Sequence, residues 1–203
     1  MIQSTSYKHG CQYQYRIHNK KIDDLCKKEF KPLKDYLIDV ITSCPNEYFN
    51  DGPRSSVLKI NINSDLSHLK HEIQALARMG LDSDYYDNAH MNVQMFLLGY
   101  DNKTVAIEIP IWLMPEEYEK FSEIFDSDLP LTGHIDLVRI ENGKIWIWDY
   151  KPNAHREKHA DTQTYFYAFM LSKRTGIPLE NFMCGYFDDK NTYIFNPSSI
   201  KII

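Results

Sequence analysis

Apolar and polar positions are most regularly ordered between Thr132 and Lys151. The segment TGHIDLVRIENGKIWIWDYK divides at Asn142-Gly143, and Asn-Gly between two apolar runs is a strong hairpin signal. With those two residues as the loop, Glu141 faces Lys144, Ile140 faces Ile145 and Val138 faces Ile147. Continuing outward, Asp136 faces Asp149 and His134 faces Lys151; a four-residue loop, 141–144, keeps the same register. One face carries Val138, Ile140, Ile145 and Ile147. The other carries Ile135, Leu137, Trp146, Trp148 and Tyr150, with Arg139 near the turn. A hairpin apolar on both faces is expected to be buried on both.

The pattern elsewhere predicts a mixture of helices and strands. Ile22, Leu25, Cys26, Phe30, Leu33, Leu37, Val40 and Ile41 are near helical spacing, with Pro32 as a break or kink. A second helix is expected from Ser64 to Met79, with Gly80 as its cap. Met91 to Gly99 and Thr104 to Leu113 read as strands around residues 100–103. Pro115 to Asp128 reads as a short amphipathic helix, and Ala160 to Thr175 as a helix stopped by Gly176-Ile177-Pro178. Residues 182–188 and 191–195 form a last hairpin. Residues 1–19 are open between an irregular arm and a short strand.

This arrangement has chemical consequences. Directly opposed Cβ atoms in a sheet are roughly 4.5–5.5 Å apart, so Asp136 and Asp149 repel each other and both lose solvation. A divalent cation between them resolves both costs, and Lys151 adds a further positive charge. The plainer alternative is a solvated strand end. On the helix expected at 64–79, His71 and Glu72 are candidate ligands, the alternative being a solvated face. Glu108 lies among apolar neighbours in Val-Ala-Ile-Glu-Ile-Pro-Ile and needs a partner if buried; the alternative is an edge glutamate near Pro110. Zinc peptidase patterns fail, because position 75 is Ala and no inverted motif is present.

Gly133-His134-Ile135-Asp136, then Asp149-Tyr150-Lys151, then Gln163 and Tyr167 give G-x-x-D, D-x-K and Q-x-x-x-Y in order. Over about residues 90–197 the chain thereby resembles the PD-(D/E)XK nuclease superfamily, and within it the RecB-type branch that includes CRISPR-associated exonucleases. The resemblance implies an α/β (α+β) fold with a central mixed β-sheet flanked by helices and an N-terminal helical addition. It implies one nuclease-like domain over 1–203, with residues 1–60 as the addition and 61–203 as the core. The implied activity is metal-dependent hydrolysis of DNA. Mg²⁺ or Mn²⁺ would be held by Asp136, Asp149 and the Tyr150 carbonyl, with His71 or Glu72 completing the shell and Glu108 as a further candidate. Lys151 would act on the attacking water and the transition state, and Gln163 and Tyr167 would position substrate. Some relatives hold an iron–sulfur cluster through one early and three late cysteines. Only Cys184 follows the Q-x-x-x-Y helix here, so no cluster is expected. The alternative from another class is an inactive fold serving as a DNA-binding or assembly module.

Composition narrows the setting. The 203 residues are 43% hydrophobic and 25% charged, ordinary for a folded globular chain. No apolar run approaches the roughly 20 residues a membrane helix needs, and the N-terminus has no secretory apolar core. Cysteines 11, 26, 44 and 184 form no framework, so free thiols in the cytoplasm are expected. A net charge of -5 argues against a general nucleic-acid coat protein, but a local basic stretch such as 152–159 can still meet phosphate. A protein partner or homo-oligomer is left open.

Overall fold

A computed structural model describes residues 1–200 of the chain. The first residues are a hairpin: β1 (Ile2–His9) pairs antiparallel with β2 (Cys11–His18) across Gly10, whose φ of +81° suits a residue without a side chain. The helices α1 (Asn19–Leu25) and α2 (Lys31–Ser43) follow. The break falls before Pro32, which sits in the first turn of α2, where its missing N–H has no intrahelical bond to lose.

Residues 64–71 are not helical and include the two-residue β3 (Ser67–His68). Helix α3 (Glu72–Ser83) starts where His71 caps it. The His71 ring accepts from Ile73 N at 3.2 Å, and the Gln74 side chain accepts from His71 N at 3.1 Å. Gly80 lies inside α3 instead of capping it. A Cβ there would stand 2.9 Å from Val93 Cα, so glycine permits the close approach of the next helix.

That next element, α4 (Ala89–Tyr100), replaces the strand expected at 91–99. Asn92, Val93, Gln94, Leu97 and Leu98 are all buried. A helix enclosed on most sides gives an apolar run that periodicity cannot distinguish from a buried strand. Asn88 starts it, its side chain accepting from His90 N at 2.8 Å.

The remaining elements follow the sequence pattern: β4 (Thr104–Leu113), α5 (Phe121–Phe125), β5 (Leu131–Glu141), β6 (Lys144–Tyr150), α6 (Ala160–Thr175), β7 (Phe182–Phe187) and β8 (Thr192–Phe195). Helix α5 is much shorter than expected, and β7 and β8 are each shorter by one residue. The strands form one mixed sheet ordered β1-β2-β4-β5-β6-β7-β8-β3. The β6–β7 pair is parallel, with α6 as its crossover, and the other pairs are antiparallel.

The central hairpin has the derived register, from Glu141–Lys144 out to Leu137–Trp148. Asn142 and Gly143 both take positive φ, +50° and +69°, as a type I′ turn requires. Val138, Ile140, Ile145 and Ile147 pack in a cluster with Leu33 and Leu37 of α2 and Phe166 and Met170 of α6. Leu137, Trp146, Trp148 and Tyr150 pack in another with Ile73 and Ala77 of α3 and Val93 and Leu97 of α4. Ile135 joins the first cluster rather than Leu137's, just past the point where Glu108 takes φ +54° in the neighbouring strand. The sheet is thus covered on both faces, and the polar side chains between its layers stand out.

Candidate active site

Asp136 and Asp149 lie one step beyond the last ladder pair of the hairpin, where the register puts them. Asp149 is 1% exposed and Asp136 8%. Asp136 Oδ2 accepts from Tyr150 N at 3.0 Å, which ties one strand's carboxylate to the other strand's backbone. Lys151 N donates to Phe187 O at 2.9 Å, extending the β6–β7 pairing by one residue. Lys151 Nζ stands 2.7 Å from Asp149 Oδ2. Even so, neither Asp149 oxygen has hydrogen-bond geometry with any partner among the described residues. The three side chains open into a cavity of about 240 Å³, to which α6 contributes Gln163 and Tyr167.

Two more groups complete the charged set. His90, in the first turn of α4, places Nε2 2.9 Å from Asp136 Oδ2 and 3.9 Å from Glu108 Oε1. Its ring stands edge-on to Tyr150, with centroids 5.5 Å apart. Glu108 sits in β4 between the pairs Ile107–Leu137 and Ile109–Ile135, hence opposite Asp136. Its φ of +54° is unusual for a non-glycine residue within a strand, and such strain concentrates at functional sites. Gln94 Nε2 donates to Glu108 Oε1 at 2.6 Å and fixes the side chain.

Burial and mutual charge set the protonation of this cluster. Burial and the adjacent Asp136 push the Asp149 carboxyl well above the usual range. Burial acts on Asp136 in the same direction, but His90 and Lys151 more than offset it and hold that carboxyl low. The Asp136 charge raises His90 to about 9. Burial, with Asp136 beside it, raises Glu108 to about 7. Lys151 would lose charge through burial, but Asp149 and Asp136 keep it protonated, above its ordinary value. Titratable groups driven apart in this way mark a site able to exchange protons near neutrality.

The residues fit a metal. His90, Glu108 and Asp136 each offer a ligand atom, all within 4.8 Å of one another. Asp149 beside them is a buried carboxylate that faces Asp136 with Lys151 as its one cation, 2.7 Å away and out of hydrogen-bond geometry, so a divalent ion would relieve the remaining cost. A donor set of carboxylates with one imidazole suits a hard or borderline divalent ion.

The structure does not bring His71 and Glu72 to this cluster. Both belong to a separate ion network around Arg139, at the turn end of the hairpin. His71 Nε2 is 3.3 Å from Glu141, and Glu72 Oε1 is 2.6 Å from both Lys103 and Arg139. Asp136 stands at the cavity end of β5, while Arg139 lies three residues nearer the turn, opposite Trp146. The upstream-helix residue that stands with Asp136 and Glu108 is instead His90, hidden from sequence reasoning by the reading of 91–99 as a strand. Tyr150 reaches the site through its backbone, since its N–H binds Asp136 while its ring packs among Trp148 and Phe187.

Gln163 and Tyr167 do reach the cavity. Gln163 Nε2 donates to Tyr167 Oη at 2.9 Å, one helical turn apart. Gly133 has its explanation here. A Cβ at that position would collide with Ser55 Oγ and Tyr167 Cε1. Gly133→Ala is therefore expected to cost about 1–3 kcal/mol in urea unfolding through overpacking, and to lower activity by displacing Tyr167.

The cavity's far wall comes from the first sixty residues, which supply Tyr13, Arg54 and Ser56. Tyr13 stacks on His134 with ring centroids 3.5 Å apart. His134 Nε2 lies 2.9 Å from His9 Nδ1, and His9 Nε2 lies 2.8 Å from Asn46 Oδ1. Burial, then the neighbouring His9 and Arg54, push His134 down to about 2. A histidine with its folded value below its unfolded one binds fewer protons when folded, so its contribution to stability is complete above about 6.5 and shrinks as pH falls. Measured in EDTA, the stability difference between wild type and His134→Gln should fall by about 2 kcal/mol between pH 6.5 and pH 5. A difference independent of pH would show that His134 is not held neutral.

The sequence profile of the PD-(D/E)XK nuclease superfamily matches residues 61–200, and the chain belongs to that superfamily. None of the curated proteins matches it. Membership implies a nuclease-type function with nucleic acid as substrate class. No helix among the described residues is long and apolar enough to cross a membrane.

Proposed function

We propose that the protein is a divalent-metal-dependent deoxyribonuclease of RecB type, hydrolysing phosphodiester bonds at Asp136, Asp149 and Lys151. The observation that carries this is the buried pair of facing acids, with Lys151 2.7 Å from one and His90 2.9 Å from the other. Asp136, Asp149, His90 and Glu108 are the ligand set, with the Tyr150 carbonyl as a further oxygen; His90 takes the place that sequence reasoning gave to His71 or Glu72. Bound there, Mg²⁺ or Mn²⁺ would polarise a phosphoryl oxygen and lower the pKa of a coordinated water. Lys151, kept charged by Asp149 and Asp136, orients the attacking water and donates to the phosphoryl oxygens as their charge grows. Gln163 and Tyr167, linked to each other, hold the strand against the cavity. Gln94 and the Tyr150 N–H fix the carboxylates, so the site is formed before substrate arrives. The start of the superfamily match at 61 supports reading residues 1–60 as an addition and 61–203 as the nuclease core of one domain.

The test is cleavage of linear and circular, single- and double-stranded DNA in Mg²⁺ or Mn²⁺, with Lys151→Ala beside wild type. Metal-dependent cleavage that the variant loses supports the reading, and the linear–circular comparison separates exonuclease from endonuclease action. DNA binding by wild type without cleavage in either metal would point instead to an inactive binding module.

A further inference from the structure

The cations around the cavity are not equally matched. His90 stands with Asp136 and Glu108, and Lys151 with Asp149. Arg54 has no carboxylate within ion-pair distance among the described residues. Its two side-chain hydrogen bonds both leave from Nη2, to His9 O at 2.6 Å and Phe49 O at 3.0 Å. Nε and Nη1 make none among the described residues, although the side chain is half-buried and lines the cavity.

The guanidinium is placed, not loose. Thr132 N donates to Pro53 O at 3.0 Å, and Arg54 bridges to Thr132 at the start of the strand that carries Asp136. On the other side it fills the space above Gly10, where a Cβ would come within 2.9 Å of Nη2. Its charge is felt inside the cavity, since after burial it is one of the causes holding both His9 and His134 low. A fixed planar fork with free donors and no acid beside it, facing a site for phosphodiester chemistry, lacks an anionic partner.

We propose that Arg54 is a phosphate-binding residue, holding a backbone phosphate of the nucleic-acid strand beside the one at the carboxylates. The N-terminal addition thereby forms part of the substrate site, although it lies outside the superfamily match at 61–200. This rests on the nuclease reading for the identity of the strand, but its test does not depend on cleavage.

Binding of a labelled single-stranded oligodeoxynucleotide is measured by anisotropy in EDTA and in Ca²⁺, a hard cation that takes the same oxygen ligands. Arg54→Gln should bind roughly 10-fold more weakly, and the slope of log affinity against log salt should be shallower by about 0.7. Arg54→Lys should keep the slope but bind more weakly than wild type, because the ammonium lacks the fork. This second variant decides the matter if loss of the ties to His9 and Phe49 unfolds the first. Neutral methylphosphonate linkages are then walked along the strand. One position should weaken wild type but cost Arg54→Gln nothing further, an outcome that a merely structural arginine does not produce. Wild-type affinity and slope in both variants, full additivity at every linkage, or no oligonucleotide binding by wild type would each overturn the proposal. Failure of the nuclease reading shows separately, as absence of metal-dependent cleavage by wild type.

Discussion

Asp136→Asn is expected to reduce metal-dependent DNA cleavage by about 10³-fold, equivalent to about 4 kcal/mol of transition-state stabilisation. Asp136 faces Asp149, lies 2.9 Å from His90 and accepts from the Tyr150 backbone, so it joins every other ligand candidate. Asparagine retains an oxygen for the Tyr150 N–H but carries no charge to hold a cation. Two opposing effects keep the variant folded. It relieves the repulsion that raises Asp149, and it removes the anion paired with His90. Cooperative unfolding like that of wild type, together with lost cleavage, is the predicted combination, read from kinetics and a urea melt on the same preparation. Near-wild-type cleavage would remove Asp136 from the chemistry.

The second large effect concerns stability. Arg139→Met should cost about 3–5 kcal/mol in urea unfolding. The Arg139 side chain is fully buried, with Nε 2.9 Å from Asp101 and Nη1 3.0 Å from Glu141. Both carboxylates are themselves buried and would be left without their main cation. Burial alone would raise Asp101, but Arg139 holds it below its usual range, so this contribution is present above about pH 3.8 and lost as pH falls further. Lys103→Ala, in the same network but more exposed, should cost less than about 1 kcal/mol. Equal losses in the two variants would mean that the buried arginine is not the keystone of the network.

The parts of this architecture legible in the sequence were those governed locally. Asn142-Gly143 fixes a turn in which both residues take positive φ, and a period of two then carries the register six residues out to the acids. The order G-x-x-D, D-x-K, Q-x-x-x-Y places Gly133, Asp136, Asp149, Lys151, Gln163 and Tyr167, and the structure gathers all six around one cavity. What was not legible depended on tertiary context. Residues 91–99 gave no amphipathic stripe because α4 is buried on most sides, and the histidine at its start was lost with it. His71 and Glu72 were near the expected sequence position, but their helix begins at the turn end of the hairpin and serves the Arg139 network. Glu108 among apolar neighbours was a true signal, a charge that needed a partner. Arg54 and Tyr13 gave none, since only the added hairpin and the chain that follows it bring them to the cavity.

Titration of Mn²⁺ into wild type, His90→Ala and His71→Ala, followed by calorimetry, tests the central claim most directly. Wild type and His71→Ala should bind the ion alike, and His90→Ala should bind it at least roughly 10-fold more weakly, the loss expected when a ligand contact worth about 1.4 kcal/mol or more is removed. Binding unchanged in His90→Ala but lost in His71→Ala, or absent in wild type, would contradict a metal centre at Asp136 and Asp149.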